Sequence, residues 1–322
     1  MRRMLLTLCD GIENVASMDF SSDAALGAAP LVEGAEASYE PIEAGEPPFT
    51  VIAPIRRTSP LIFASPHSGR RYPAPFLTQA KAKLASLRRS EDAYVDEIFA
   101  GAAAHGAPLI AANVARAYVD LNRDPSELDP EMFADFAAHP GSSSPRVQAG
   151  LGAIPKIAGD GLPIYGRKLA LADAQRRIAL IHRPYHAMLG TLIEEAVADM
   201  GCAVLIDCHS MPSCARGPNA PDVVLGDRYG ASCHPAVTSL VEATLRRLGY
   251  RVHRNAPFAG GHTTQHYGRP GKRVHALQIE LNRGLYLDES SLQRTQGFIR
   301  VRADMGRLGE ALAAAQLHKS LA

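Results

Sequence analysis

Three short apolar runs in this chain end in side chains that can hold a metal or move a proton. "PLIFASPHSG" runs into His67 just before a glycine turn, "AVLIDCHS" runs into His209, and "HALQIELNR" carries Glu280 followed by Asn282 and Arg283. Two histidines and a carboxylate on rigid strand ends are what a catalytic zinc site needs: few ligands, neutral nitrogen donors and an open coordination position. Each residue also has a plainer reading. A lone histidine after a strand more often hydrogen-bonds to backbone, and Glu280 can pair with Arg283 or another arginine. Yet Glu280 stands between Ile279 and Leu281, where an unpartnered carboxylate costs desolvation energy. Repetition of one pattern at several strand ends favours the metal.

A third ligand is needed, and "RRSEDAYVDEIF" offers it. The pattern predicts a helix start with Ser90 as N-cap and acids in the first turn, Asp92 and Asp96 sharing a face. Acids there also stabilise a helix dipole without any metal, and spacing alone does not choose among Glu91, Asp92 and Asp96. Cys208 and His209 are neighbours along a strand and so point to opposite faces, which makes Cys208 a small buried hydrophobe and no partner for the histidine. Asp207 shares the face of His209 and suits the role of orienting it, while Ser210 reads as a bystander. No G-x-S-x-G elbow occurs, so a serine triad has no support. "YVDLNRDP" places Arg123 after a strand-like run, with Asn122 and Asp124 alongside, a position suited to capturing a carboxylate. "FAGGHTTQHYG" is a glycine-hinged loop carrying His262, Thr263, Thr264 and His266, suited to a lid.

The elements that must position these residues alternate along the chain from about residue 50. Apolar runs at "PLIFAS", "APLIAANVAR", "AVLIDCHS", "PDVVLGD", "YRVHRNAPF" and "HALQIELNR" read as strands. Helical patterns lie between them, at about 75–106, 168–200, 232–248 and 289–316. This predicts an α/β fold with a mixed, largely parallel central sheet and helices on both faces, in which ligands sit outside the carboxyl ends of the strands. Pro184 predicts a kink or break in the long helix. Residues 125–166, rich in Pro, Gly and Ser, predict an extended insertion near the site. Residues 1–48 form a loosely structured lead-in, and 49–322 a single α/β domain.

Composition narrows the function classes. With 34 basic and 33 acidic residues among 322, and no long single-sign run, nothing points to nucleic acid or an anionic membrane. Five cysteines without a Cys-x-x-Cys pair argue against a disulfide framework or zinc ribbon and for a reducing compartment. The opening "MRRMLLTLCDG" has an apolar stretch too short for a signal peptide, so a cytoplasmic protein is expected.

Seven segments in order, "SPHSGRRYP", "SEDAYVDEIF", "AYVDLNRDP", "DCHSMPS", "LGDRYG", "GGHTTQHYGRP" and "LQIELNRGLYLDE", resemble the N-formylglutamate amidohydrolase family over about residues 60 to 290. The resemblance implies a zinc-dependent amide hydrolase with a zinc-carboxypeptidase-like core, holding one Zn2+ per chain. It carries the ligand roles onto His67 and His209 and the catalytic base onto Glu280. The carboxypeptidase pattern His-x-x-Glu is broken, because Arg70 stands where the acid belongs, so the acid must come from "SEDAYVD", Asp92 first and Glu91 second. The expected reaction is hydrolysis of N-formyl-L-glutamate to formate and L-glutamate, a step the resemblance links to histidine breakdown. Arg123 or a histidine of the 262–266 loop would meet the oxyanion. Arg116, Arg123, Arg183 and Arg283 are candidates for the substrate carboxylates, with Asn122, His262, Thr263 and Asn282 beside them. Other N-acyl amino acids are the alternative substrates. A metal-binding protein without catalysis is the alternative of another class, and Glu280 argues against it, since a binding module needs no base.

Overall fold

The computed structural model describes residues 47–136, 144–213 and 220–321. The expected lead-in therefore lies, except for its last two residues, outside the described residues.

A seven-stranded sheet runs through the molecule, formed by β1 (Phe49–Ile52), β2 (Leu61–Ser65), β3 (Leu109–Ala112), β4 (Ala203–Met211), β5 (Val223–Gly226), β6 (Val252–Arg254) and β7 (Val274–Asn282) in the order β1-β3-β2-β4-β7-β5-β6. The central pairs β2–β3, β2–β4 and β4–β7 are parallel, as is β5–β6, while β1–β3 and β5–β7 are antiparallel. The expected mixed, largely parallel sheet is what forms. The short edge strand β1 was not among the expected strands, because four residues with alternating burial carry little signal.

Alternation along the strands divides the core in two. Leu61, Phe63, Val204, Ile206, Cys208, Leu277 and Ile279 face one side, where the helices Val95–Phe99, Pro235–Arg247 and Gly297–Ala314 cover them. Ile62, Ala64, Ala203, Leu205 and Ala276 face the other, under the helix Arg183–Met200. On that second face the apolar lining stops at Leu205 and Ala276, and the next residues outward are Asp207, His209, Gln278 and Glu280. Those four are buried, so the face turns polar at the carboxyl ends of the two central strands without becoming exposed.

Position in the sheet explains why. The chain leaves β2 toward β3 on one side and later returns to β4 on the other. The carboxyl ends of β2 and β4 thus lie at the switch point of the sheet, where α/β sheets bind ligands.

Several expected elements differ. The helical stretch anticipated at 75–106 is broken into short pieces: Ala74–Gln79, Leu84–Leu87, a 3-10 turn at Arg88–Ser90, Val95–Phe99 and a 3-10 turn at Ala100–His105. Ser90 caps no helix; its Oγ accepts from Gly159 N at 2.9 Å. The helix begins at Val95, after Tyr94 in the left-handed region with φ of 64°. Asp92 and Asp96 consequently do not share a helix face. The expected strand in "YVDLNRDP" is absent, and turns at 116–118 and 121–122 take its place. At Pro184, π-type hydrogen bonding over Ile178–His182 precedes the helix Arg183–Met200, so the expected break is a change of bonding register before a residue that has no N–H to give. The last long helix starts at Gly297, after a two-strand ribbon pairing Leu287–Asp288 with Gln293–Arg294. The described part of 125–166 has little regular structure but packs Leu128, Phe133, Ile154 and Ile164 into the second core.

Candidate active site

His67 lies two residues beyond β2, and the Asp92 segment is tied to it by a backbone bond from Asp92 N to His67 O of 3.0 Å. His209 is inside β4, two residues before its end, a correction to its expected place just after the strand. Parallel register puts Glu280 of β7 directly beside it. Among the described residues, His67, Asp92 and His209 form the group able to hold a metal ion, with donor atoms all within 4.8 Å of one another.

The two imidazoles are oriented alike. Their Nδ1 atoms face Asp92 Oδ2, at 3.4 Å for His67 and 3.0 Å for His209. Their Nε2 atoms point away, to other carboxylates: His67 Nε2 lies 2.7 Å from Asp120 Oδ1, and His209 Nε2 3.1 Å from Asp207 Oδ1. His67, hydrogen-bonded to Asp120 through its far nitrogen, keeps the near lone pair for a cation. Buried His67 Nδ1 has no hydrogen-bond partner, which leaves it free for such a cation. The residues fit a divalent metal.

Electrostatics support the fit. Burial alone would push the Asp92 carboxyl up, but the His209 hydrogen bond and the nearby imidazoles of His209 and His67 outweigh it and hold it well below the usual range. Burial would lower His209, yet Asp207, Asp92 and Glu280 draw it well above an ordinary histidine. Carboxylates so arranged favour positive charge at this point, and a metal supplies that charge without a proton. Asp120, also buried, is held well below the usual range because Arg116, Arg123 and His67 together overcome its desolvation.

Glu280 is in another state. Burial pushes its carboxyl up to about 7, with Asp92 and Asp207 adding to the rise and His209 and Arg116 opposing it. Its Oε1 accepts from Gln278 Nε2 at 2.7 Å.

The arginines divide by what already holds them. Arg116 gives Nε to Asp120 Oδ2 at 2.8 Å and is partly exposed; among the described residues its terminal nitrogens have no other hydrogen bond. Arg123 is spent on backbone, with Nε to Leu151 O at 2.8 Å and Nη1 to Asn122 O at 2.7 Å; burial lowers it to about 10 despite the attraction of Asp120. Arg283 is turned inward onto Asp92 Oδ1 at 2.9 Å, Ser210 Oγ at 3.1 Å and Arg89 O at 3.2 Å, so the expectation that it meets substrate gives way to an internal role. Ser210, expected to be a bystander, belongs to that group, since its Oγ also lies 3.3 Å from Asp92 Oδ1. Arg183 is exposed at the start of its helix.

The remaining expected substrate residues also make contacts within the chain. Asn122 bridges the site: Nδ2 lies 3.0 Å from His209 Nε2 and 3.3 Å from Asp207 Oδ2, and Oδ1 accepts from Thr263 N at 2.7 Å. Asn282 holds the following turn through Gly284 N and Pro221 O. The glycine-hinged segment forms a short helix, His262–Tyr267, docked on Asn122. A Cβ at Gly261 would come within 2.4 Å of Asn122 Nδ2, so only glycine permits that approach. His262 stacks on His266, their ring centres 5.2 Å apart.

Among the "SEDAYVD" acids, Asp92 enters the site. Glu91 points away to Tyr72 Oη at 2.7 Å, and Asp96 pairs with Arg70 at 2.6 Å. Two contributors were missed. Asp120 lies inside the quoted "YVDLNRDP" but its partner is 53 positions away. Arg146 was passed over altogether, and it stands near enough to Arg123 and His262 to disfavour positive charge on both.

Comparison with known proteins gives the family. The family model for N-formylglutamate amidohydrolase matches residues 59–287. The N-formylglutamate deformylase of Pseudomonas aeruginosa is 33% identical over 239 residues, covering 72% of this chain and 84% of that protein. The N-formylglutamate deformylase of Pseudomonas putida is 31% identical over 238 residues, covering 72% and 83%. The crystal structure of N-formylglutamate amidohydrolase from Ralstonia eutropha JMP134 superposes with a TM-score of 0.80 at 36% identity, covering 84% of this chain and 99% of that one. This chain belongs to the N-formylglutamate amidohydrolase family.

Proposed function

We propose that this chain hydrolyses the formyl amide of N-formyl-L-glutamate to formate and L-glutamate, with one zinc ion held by His67 Nδ1, Asp92 Oδ2 and His209 Nδ1. The observation that carries the reading is the shared orientation of the two histidines, whose outer nitrogens are each beside a carboxylate while their inner nitrogens converge on Asp92. The names of the relatives support the substrate. A zinc ion held there supplies Lewis-acid polarisation of the formyl carbonyl and acidifies water toward neutrality.

The chain's own residues do the rest. Glu280, poised at about 7, takes a proton from the attacking water as the new C–O bond forms and gives it to the amine nitrogen as the C–N bond breaks. Arg116 offers its terminal N–H groups to the developing oxyanion or to a substrate carboxylate. Arg123 and Arg146 keep the neighbourhood positive, which suits a substrate with two carboxylates. In this reading the enzyme works in the cytoplasm on a product of histidine breakdown; among the described residues no helix is long and apolar enough to cross a membrane.

The test is glutamate release from N-formyl-L-glutamate by zinc-loaded protein, with a chelated control. Activity that vanishes on chelation and returns with zinc is expected. No release from the zinc-loaded chain rejects the substrate, and cleavage of another N-acyl amino acid would replace it.

A further inference from the structure

Asp92 divides its two oxygens between two neighbourhoods. Oδ2 faces both histidine Nδ1 atoms, at 3.0 and 3.4 Å. Oδ1 faces the other way, accepting from Arg283 Nη2 at 2.9 Å and from Ser210 Oγ at 3.3 Å. A carboxylate oxygen has two lone-pair directions, and those of Oδ1 are both taken.

Arg283 is not a loose counter-ion. Its Nε is on Ser210 Oγ at 3.1 Å and its Nη1 on Arg89 O at 3.2 Å, so all three nitrogens are anchored, two to the Arg89–Asp92 segment and one to β4. The fork is buried, and a planar guanidinium held at three points has one orientation to offer. It arrives on the turn just after β7, three residues beyond Glu280.

We propose that Arg283 is a positioning residue that makes Asp92 bind the metal through Oδ2 alone. This rests on the metal reading given above. A carboxylate free to rotate can chelate through both oxygens and fill a coordination position. A catalytic site needs that position open, with three protein atoms bound and the rest of the sphere left to water and substrate. Arg283 and Ser210 hold Oδ1 away from the ion and keep the position vacant. One turn after β7 therefore serves the site twice, since the same strand carries the base and its end carries the clamp.

Cobalt(II) substitution reads this directly, because visible absorption weakens as coordination number rises above four. In Arg283→Met, Asp92 Oδ1 keeps only the Ser210 hydroxyl and loses the charged donor that turns it from the ion. The variant is expected to bind one cobalt per chain with a several-fold weaker visible band, and to lose kcat with KM little changed, by roughly 10–100-fold. Arg283→Lys restores one donor toward Oδ1 and should recover part of the spectrum and of kcat. Ser210→Ala, a smaller change that tests the same oxygen, should shift the band in the same direction and guards against an Arg283→Met chain that fails to fold. Cobalt bands identical to wild type in the folded variants, with any activity loss tracking a lower unfolding temperature, would overturn the clamp and leave Arg283 a structural residue. A wild-type chain that takes up no cobalt would sink the metal reading and the clamp with it; uptake with unmoved spectra sinks the clamp alone.

Discussion

His67 Nε2 sits 2.7 Å from Asp120 Oδ1, and this contact leaves Nδ1 as the nitrogen that faces Asp92. With its proton on Nε2, the imidazole presents a lone pair at Nδ1, the atom left without a partner. Asp120 does more than orient one ring. Its Oδ2 receives Arg116 Nε at 2.8 Å, and its Oδ1 also accepts from Asn122 N at 2.9 Å. One buried carboxylate thus couples His67 to Arg116.

Asp120→Asn keeps the shape and removes the charge. Weaker zinc binding by roughly 10–100-fold is expected, the usual cost of losing a carboxylate behind a ligand histidine. Competition with a chromogenic chelator measures it. Unchanged zinc affinity would mean that Asp120 serves Arg116 and not His67.

Glu280→Gln separates chemistry from metal binding. The substitution leaves His67, Asp92 and His209 in place, so zinc content should stay at one per chain. Loss of kcat by roughly 10²–10⁴-fold is expected, the range for removing a general acid–base. KM should move little, because the proton transfer belongs to the transition state. Near-native kcat with zinc bound would remove Glu280 from the role of base.

How much of this was legible beforehand depends on the distance over which each residue acts. The sheet could be read because its strands are near-continuous apolar runs, as expected for parallel strands buried on both faces. His67, His209 and Glu280 could be singled out for the same reason, since each interrupts or ends such a run. Asp92 was harder. Local pattern put it in a helix with Asp96, while a left-handed Tyr94 starts the helix later; Tyr94 is held there by its hydroxyl on Leu292 O at 3.2 Å and by Arg294 over its ring at 4.3 Å. Those partners come from about 200 residues further along the chain, beyond any local pattern. Arg283 was visible as a residue but not as a clamp, because its role depends on Asp92 and on Arg89, 191 and 194 positions earlier. A sequence window shows which residues can do chemistry; which arginine faces inward is settled by packing.

Arg116 is held through Nε and keeps terminal donors to offer. Replacing it with methionine keeps the stem and removes the guanidinium. One charge-assisted hydrogen bond lost to an oxyanion or carboxylate amounts to about 1.5–3 kcal/mol, so kcat/KM for N-formyl-L-glutamate should fall by roughly 10–100-fold. The split between the constants reports its role. A fall in kcat places the guanidinium at the oxyanion, and a rise in KM places it on a substrate carboxylate. No change in either would show that Arg116 meets neither.

Beside the metal group lies a second cluster of histidines, His182, His186, His262 and His266, with the ring centres of His182 and His186 4.4 Å apart and those of His186 and His262 5.5 Å apart. Burial lowers all four, His186 to about 2 and His262 to about 4, and neighbouring rings add to the fall at these two. A histidine whose folded value lies below its unfolded value of 6.5 binds fewer protons folded than unfolded across that interval. Stability therefore rises with pH there: it is fully present above about 6.5 and is lost progressively as the pH falls toward the folded value. His186 should dominate, having the widest interval, with one nitrogen 2.8 Å from Leu121 O and the other 2.9 Å from Tyr267 Oη. The measurement is the free energy of denaturant unfolding of wild type and His186→Gln from neutral pH down to about pH 4, the folded value of His262. Titration of the ligand histidines is common to both chains and cancels in the difference. Wild type should lose stability more steeply below about pH 6.5, so that the gap between the chains narrows with acid. Parallel curves would mean that His186 takes up a proton in the folded chain without penalty, and the cluster would then have no part in acid lability.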